Sequence, residues 1–280
     1  MIKRILTAVV MTLSINMAAQ ANPQLESQGM ASTAHPLATA AAETIFKLGG
    51  NSVDAAIAAS LTLAVVEPSM SGLGGRAQAI VKLADGSLRG YNGMTEIPAG
   101  FVLQKEMPSS GYTTVATPGL IALLQVLHKN HGSLPFEDLI QPALQHASKG
   151  FALLAGEASR HQSSAKKIRQ DFGMSMAYLN NRKKAFDAGE ELKQPALART
   201  LARLSRFGPD DFYRGEIARE ISDDVLKNGG FITLADLKDY AVLPGRYIHF
   251  SYRGYEIHTL AAPAGGGLGA KAMMLLSQVE

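Results

Sequence analysis

The stretch Ser52–Val66 reads SVDAAIAASLTLAVV, small or apolar at almost every position around a helix. A helix with no polar face has to be packed on several sides, so this segment predicts a central helix around which the rest of the chain is arranged. Its surroundings carry helix and turn punctuation. Upstream, Pro36 opens the Ala-rich PLATAAAETIFKL, which closes at Gly49-Gly50; proline suits a first helical position and glycine the position after a last. Downstream lies the turn Gly72-Leu73-Gly74-Gly75. AQAIVKL and SLRGYNG then flank Ala84-Asp85-Gly86-Ser87, an Asp-Gly signal for a two-residue hairpin turn.

Helical patterns follow in LIALLQVLHKN and, after Ser133-Leu134-Pro135, in FEDLIQPALQHASKG, where Pro142 is placed to kink or divide the helix. From Ala155 to Lys193 the sequence is polar with weak periodicity and predicts helices and loops without defined boundaries. Order returns in QPALARTLARLSRFG. PDDFYRGEIAREISDDVLKNGG reads as one helix, Thr233 as the cap of a short helix through LADLKDY, and RYIHFSYRGYEIHTL as a hairpin turning at Arg253-Gly254. The last segment, GLGAKAMMLLSQVE, predicts a helix after Gly265-Gly266-Gly267 that reaches Glu280 without a capping glycine. No repeat or linker divides the chain, so residues 22–280 are expected to be one domain.

The 280 residues are 46% hydrophobic, enough for an ordinary globular core. With 27 Lys and Arg against 24 Asp and Glu, scattered along the chain, no nucleic-acid partner is expected. The absence of cysteine removes disulfides, zinc thiolates and a cysteine nucleophile. Lys3 and Arg4 precede the apolar ILTAVVMTLSINMA and the small-residue site Ala19-Gln20-Ala21, the layout of a secretory signal peptide over residues 1–21. The apolar run is short for a spanning helix. A periplasmic or secreted protein, with no membrane partner after cleavage, is the expectation.

Gly72-Leu73-Gly74-Gly75 lacks the strand before, the helix after and the Lys-Ser/Thr ending of a phosphate loop. Gly265-Gly266-Gly267-Leu268-Gly269-Ala270 does satisfy G-x-G-x-x-A before a helix. A dinucleotide enzyme using Gly265, Gly267 and Ala270 would also need a βαβ unit and an acidic residue about 20 positions on. Neither is visible here. The seven histidines have no zinc-ligand spacing and read as surface or capping residues, and Ser71 lacks the glycine two positions before it that a nucleophile elbow requires. No cofactor or metal is expected.

Taken in order, HPLATAAAETIFKLGGNSVDAAIAASLTLAVVEP with SGLGG, ATPGLIALL, LPFEDLIQPALQHASKGF, QPALARTLARLSRFGPDDFYRGEIAREI, NGGFITLADLKDY and YRGYEIHTLAAPAGGG resemble the large-subunit region of the gamma-glutamyltranspeptidase family. The resemblance covers nearly everything from Met30 to Glu280. It implies an α+β fold, the αββα sandwich of N-terminal-nucleophile hydrolases, of which this chain supplies the helical part and some strands. It also implies self-cleavage before a threonine whose free amine and hydroxyl act as base and nucleophile. The resulting gamma-glutamyl enzyme, formed from glutathione-like amides, passes its acyl group to water or an amino acid.

In that family the threonine lies well beyond the segment matching LAAPAGGG, so the expected chain is truncated before its catalytic small-subunit partner and is inactive alone. Thr113 and Thr114, in a stretch that resembles the large-subunit region, are rejected as substitutes. A second departure concerns the arginine that pairs with the substrate carboxylate in the family. Here Tyr91-Asn92-Gly93-Met94-Thr95-Glu96-Ile97-Pro98 has Met94 or Glu96 at the corresponding positions. Arg76 stands where the family has glycine or an acidic residue. A two-residue turn at Asp85-Gly86 would set Arg76 opposite Thr95, beside Met94, with the two side chains diverging by strand alternation. Three readings of Arg76 stay open: a relocated carboxylate clamp, a solvent-facing arginine, and drift in a noncatalytic remnant or binding module.

Overall fold

A computed structural model describes residues 29–278 apart from 104 and 107; the expected signal peptide lies outside the described residues. Helix α1 (Pro36–Lys47) begins where the His35 ring accepts a hydrogen bond from the Leu37 amide, and α2 (Ser52–Val66) begins at a reciprocal cap between Asn51 and Asp54. Asp54 is fully buried and also accepts from the Ser133 amide and hydroxyl, so one carboxylate fastens the start of α2 to the loop that precedes a later helix. As the all-round apolar pattern requires, α2 is surrounded. It packs on α1, on α3 (Leu120–His131) and on α4 (Phe136–Lys149), burying Ile57, Leu61, Val65 and Val66. Pro142 neither breaks nor divides α4, which runs through it.

Strands β1 (Ala77–Lys82) and β2 (Leu88–Gly93) form the expected hairpin, but with a different turn. Leu83 and Ser87 are the last bonded pair, leaving a three-residue loop, Ala84–Gly86, with Gly86 at φ 82°. The Asp85 carboxylate accepts from the Ser87 amide and favours this wider turn. Every pair shifts by one from the two-residue expectation, to Ala77↔Gly93 through Lys82↔Leu88.

The polar middle is ordered. After β3 (Phe151–Ala152) come α5 (Ala155–Gln170) and α6 (Phe172–Tyr178), and β4 (Glu191–Leu192) returns to pair with β3 before α7 (Pro195–Phe207) packs on α4. The single helix expected next is two, α8 (Asp211–Arg214) and α9 (Glu216–Lys227). Asp211 explains the break. Its carboxylate is gripped by Arg203 at 2.5 and 2.9 Å and turns to accept from the Glu216 amide, capping a new helix in place of continuing the old one.

Thr233 and Asp236 form the cap of α10 (Leu234–Asp239), after which β5 (Leu243–Pro244) joins β2 in a three-stranded sheet ordered β1-β2-β5. A separate hairpin of β6 (Tyr247–Tyr252) and β7 (Tyr255–Leu260) turns at Arg253-Gly254, and α11 (Gly266–Leu276) comes after it.

Candidate functional site

The glycine turn is a backbone fastening. The Gly75 amide closes it onto the Gly72 carbonyl at 2.9 Å, and the Gly75 carbonyl accepts from the Gly119 and Leu120 amides at 3.0 and 3.1 Å. Of the amides at the start of α3, the groups an anion would need, those of Gly119 and Leu120 are thus taken by the turn and that of Ala122 by the Tyr213 hydroxyl. Beside them β2 ends in close contact with α3. A Cβ on Gly119 would fall on the Gly93 carbonyl and the Tyr240 hydroxyl, so the two chain segments meet backbone to backbone.

Tyr240 anchors the segment just after β2. Its hydroxyl donates to the Met94 carbonyl at 2.7 Å, its ring stacks on Tyr213, and burial, reinforced by the nearby Glu96 carboxylate, pushes its phenol up to about 12. Farther along, Glu96 and Thr117 exchange backbone hydrogen bonds and the Ala99 amide donates to Asp236 at 2.7 Å. The segment in which the family resemblance places an arginine is therefore fixed at three points.

The ladder ends at Ala77↔Gly93; extended by one pair, its register would set Arg76 opposite Met94 and not, as expected from a two-residue turn, opposite Thr95. Arg76 is exposed, forms no ion pair among the described residues, and lines a cavity of about 680 Å³ with Ser69, Ser71, Gly72, Gly75 and Leu120. Met94 is half-buried. Glu96 is exposed and lies beyond the hairpin, in the bridge to Thr117.

Beneath the glycine turn lies a buried polar network that no sequence motif announces. Glu157 of α5, 1% exposed, accepts from the Ser69 amide and hydroxyl at 2.9 and 2.6 Å, from Arg160 at 2.6 Å and from His161 Nε2 at 3.0 Å. Burial pushes its carboxyl up, but the hydrogen bonds from His161, Ser69 and Arg160 outweigh burial and hold it at about 2. His161 is itself buried, contrary to its reading as surface or cap, and its Nδ1 has no hydrogen-bond partner among the described residues. Glu157 and His161 stand four apart on one helix, a spacing visible in the sequence. That Ser69 completes the network is not. On the far side of Gly72–Gly74 a second, more apolar cavity of about 870 Å³ is lined by Leu73, Tyr178, Arg199, Phe212 and Ile232.

Other candidates fall away on geometry. Gly265, Gly267 and Ala270 come after the antiparallel β6–β7 hairpin, not a βαβ unit, so the dinucleotide pattern lacks its structural setting. Thr114 donates its hydroxyl to the Gly111 carbonyl at 2.7 Å, and Thr113 sits beside it in the short helical turn Tyr112–Thr114, neither with a free amine. Among the described residues no group of three His, Asp or Glu side chains could hold a metal ion.

Residues 38–280 match the gamma-glutamyltranspeptidase family. The chain is 33% identical over 265 residues to the glutathione hydrolase proenzyme of Pseudomonas sp. (strain A14), covering 91% of this chain and 46% of that protein. It is 34% identical over 236 residues to the capsule biosynthesis protein CapD proenzyme of Bacillus anthracis, covering 84% and 42%. The solved gamma-glutamyltranspeptidase of Helicobacter pylori superposes with a TM-score of 0.82 at 30% identity, covering 86% of this chain and 72% of that one. The chain thus spans less than half the length of both curated relatives.

Proposed function

The chain belongs to the gamma-glutamyltranspeptidase family, and from that premise we propose that it is the large-subunit portion of an enzyme acting on glutathione or related gamma-glutamyl amides. Its α+β fold is that of the N-terminal-nucleophile hydrolases. In the proposed reaction a threonine supplied by a complementary subunit attacks the gamma-amide carbonyl. Its own amine takes the hydroxyl proton and returns it to the departing amine, and water or an amino acid then cleaves the acyl ester. This chain contributes the wall that binds the donor.

The observation that carries the proposal is the register. Extended by one pair beyond Ala77↔Gly93, it would set Arg76, which forms no ion pair among the described residues, opposite Met94 at the edge of an open cavity, and this supports Arg76 as the group that takes over the carboxylate recognition Met94 cannot perform. The test is donor discrimination by the complex with the catalytic subunit. Arg76→Ala should lower kcat/KM for donors bearing the alpha-carboxylate by at least about thirtyfold, while amide donors lacking it change little. Equal kinetics of wild type and Arg76→Ala on both donors would remove the clamp. Recovery of carboxylate preference only in Met94→Arg would favour the second reading, a portion that has lost its donor site.

The charged start, apolar run and small-residue site before residue 22 support export to the periplasm or medium. The mass of the mature N terminus checks it, and retained Met1 in the cytosol would contradict it.

A further inference from the structure

The even scatter of basic residues expected from the sequence fails in one place. From Lys166 to Lys184 the chain has six of its 27 basic residues, Lys166, Lys167, Arg169, Arg182, Lys183 and Lys184, and one of its 24 acidic ones, Asp171. This segment is +5, whereas the rest of the chain is −2. The fold gathers the two ends of the run. Arg169, in the last turn of α5, donates to the Lys183 carbonyl at 3.3 Å, and the turn bearing the other three cations is fixed by Asn180, whose side chain accepts from the Arg182 and Lys184 amides.

All six cations are exposed, and none forms an ion pair among the described residues. The one carboxylate within the segment is occupied in capping α6 through the Met174 amide, and Asp187 just beyond it accepts from Gln162. Between the cationic ends lies α6, tied to α5 by the Ser175 hydroxyl on the Ile168 carbonyl. Phe172 and Met176, four apart on the same helical face, are 84% and 72% exposed.

Exposed cations with no ion pair among the described residues, set around a short exposed apolar face, match the two components of an anionic lipid surface, charge at the headgroups and hydrocarbon just beneath. We propose that the α5–α6 lobe docks the protein reversibly on anionic membranes, where the sequence alone led to an expectation of no membrane partner after signal cleavage. A nucleic acid would reward the charge but leave Phe172 and Met176 without a role, since a single aromatic offers little base stacking.

The test compares full-length wild-type and variant chains with identical N termini for sedimentation with phosphatidylglycerol–phosphatidylcholine vesicles and with pure phosphatidylcholine vesicles, circular dichroism confirming the fold. Binding should require phosphatidylglycerol and weaken with salt. It should fall about a hundredfold in the triple variant Lys166→Gln, Lys167→Gln, Lys184→Gln, at roughly fivefold per lost cation, and several-fold in Phe172→Ser with Met176→Ser. Binding equal on both vesicles, or unchanged in the charge variant, would overturn the proposal. So would affinity for a DNA duplex matching that for vesicles and indifferent to the Phe172 and Met176 changes.

Discussion

Glu157 shows how one side chain couples the glycine turn to the acidity of the solution. Its carboxyl is held at about 2 against an ordinary 4.5, so the folded protein binds this proton less readily than the unfolded chain does. The resulting stabilisation is present above pH 4.5 and is lost as the pH falls toward 2, and its full size is on the order of 3 kcal/mol. Glu157→Gln should cost about 1.5–3 kcal/mol at pH 7 by leaving Arg160 and His161 without their anion. The urea-unfolding free energies of wild type and variant should converge by pH 2. A parallel offset at all pH values would show that Glu157 carries no such linkage. At this scale the sequence was legible in part. Arg76 and Met94, whose roles are proposed, emerged as candidates from the family resemblance. The Glu157 network did not, because its partner Ser69 lies 88 residues away.

The elements were easier to read than their joints. Proline and glycine punctuation marked α1, and Thr233 the start of α10. The all-round apolar run identified α2 as the core helix. Errors arose where a side chain competed with the backbone pattern. Asp85 widens the hairpin turn and shifts its register, and Asp211, drawn by Arg203, starts a new helix at Gly215. The contact of β2 with α3 was equally invisible, since Gly93 and Gly119 belong to separate motifs. Gly119→Ala should overpack that contact, costing about 1–3 kcal/mol in chemical denaturation and loosening the Tyr240 hold on Met94. Unchanged stability would mean that β2 moves aside freely.

For the whole molecule, α2 and its neighbours fix the core of what is proposed to be a large-subunit portion, the β1–β2 hairpin presents the proposed donor clamp, and the proposal assigns the reacting threonine to a complementary subunit. This division of labour stands or falls on where the nucleophile resides. The decisive experiment incubates the chain, alone and with its catalytic complement, with a gamma-glutamyl-like diazoketone that alkylates the nucleophile, and reads the intact mass of each chain. A single adduct is expected on the complement's N-terminal threonine, and none on this chain under either condition. An adduct on the isolated 280-residue chain, mapped to Thr113 or Thr114 and accompanied by turnover of a gamma-glutamyl anilide, would contradict that assignment.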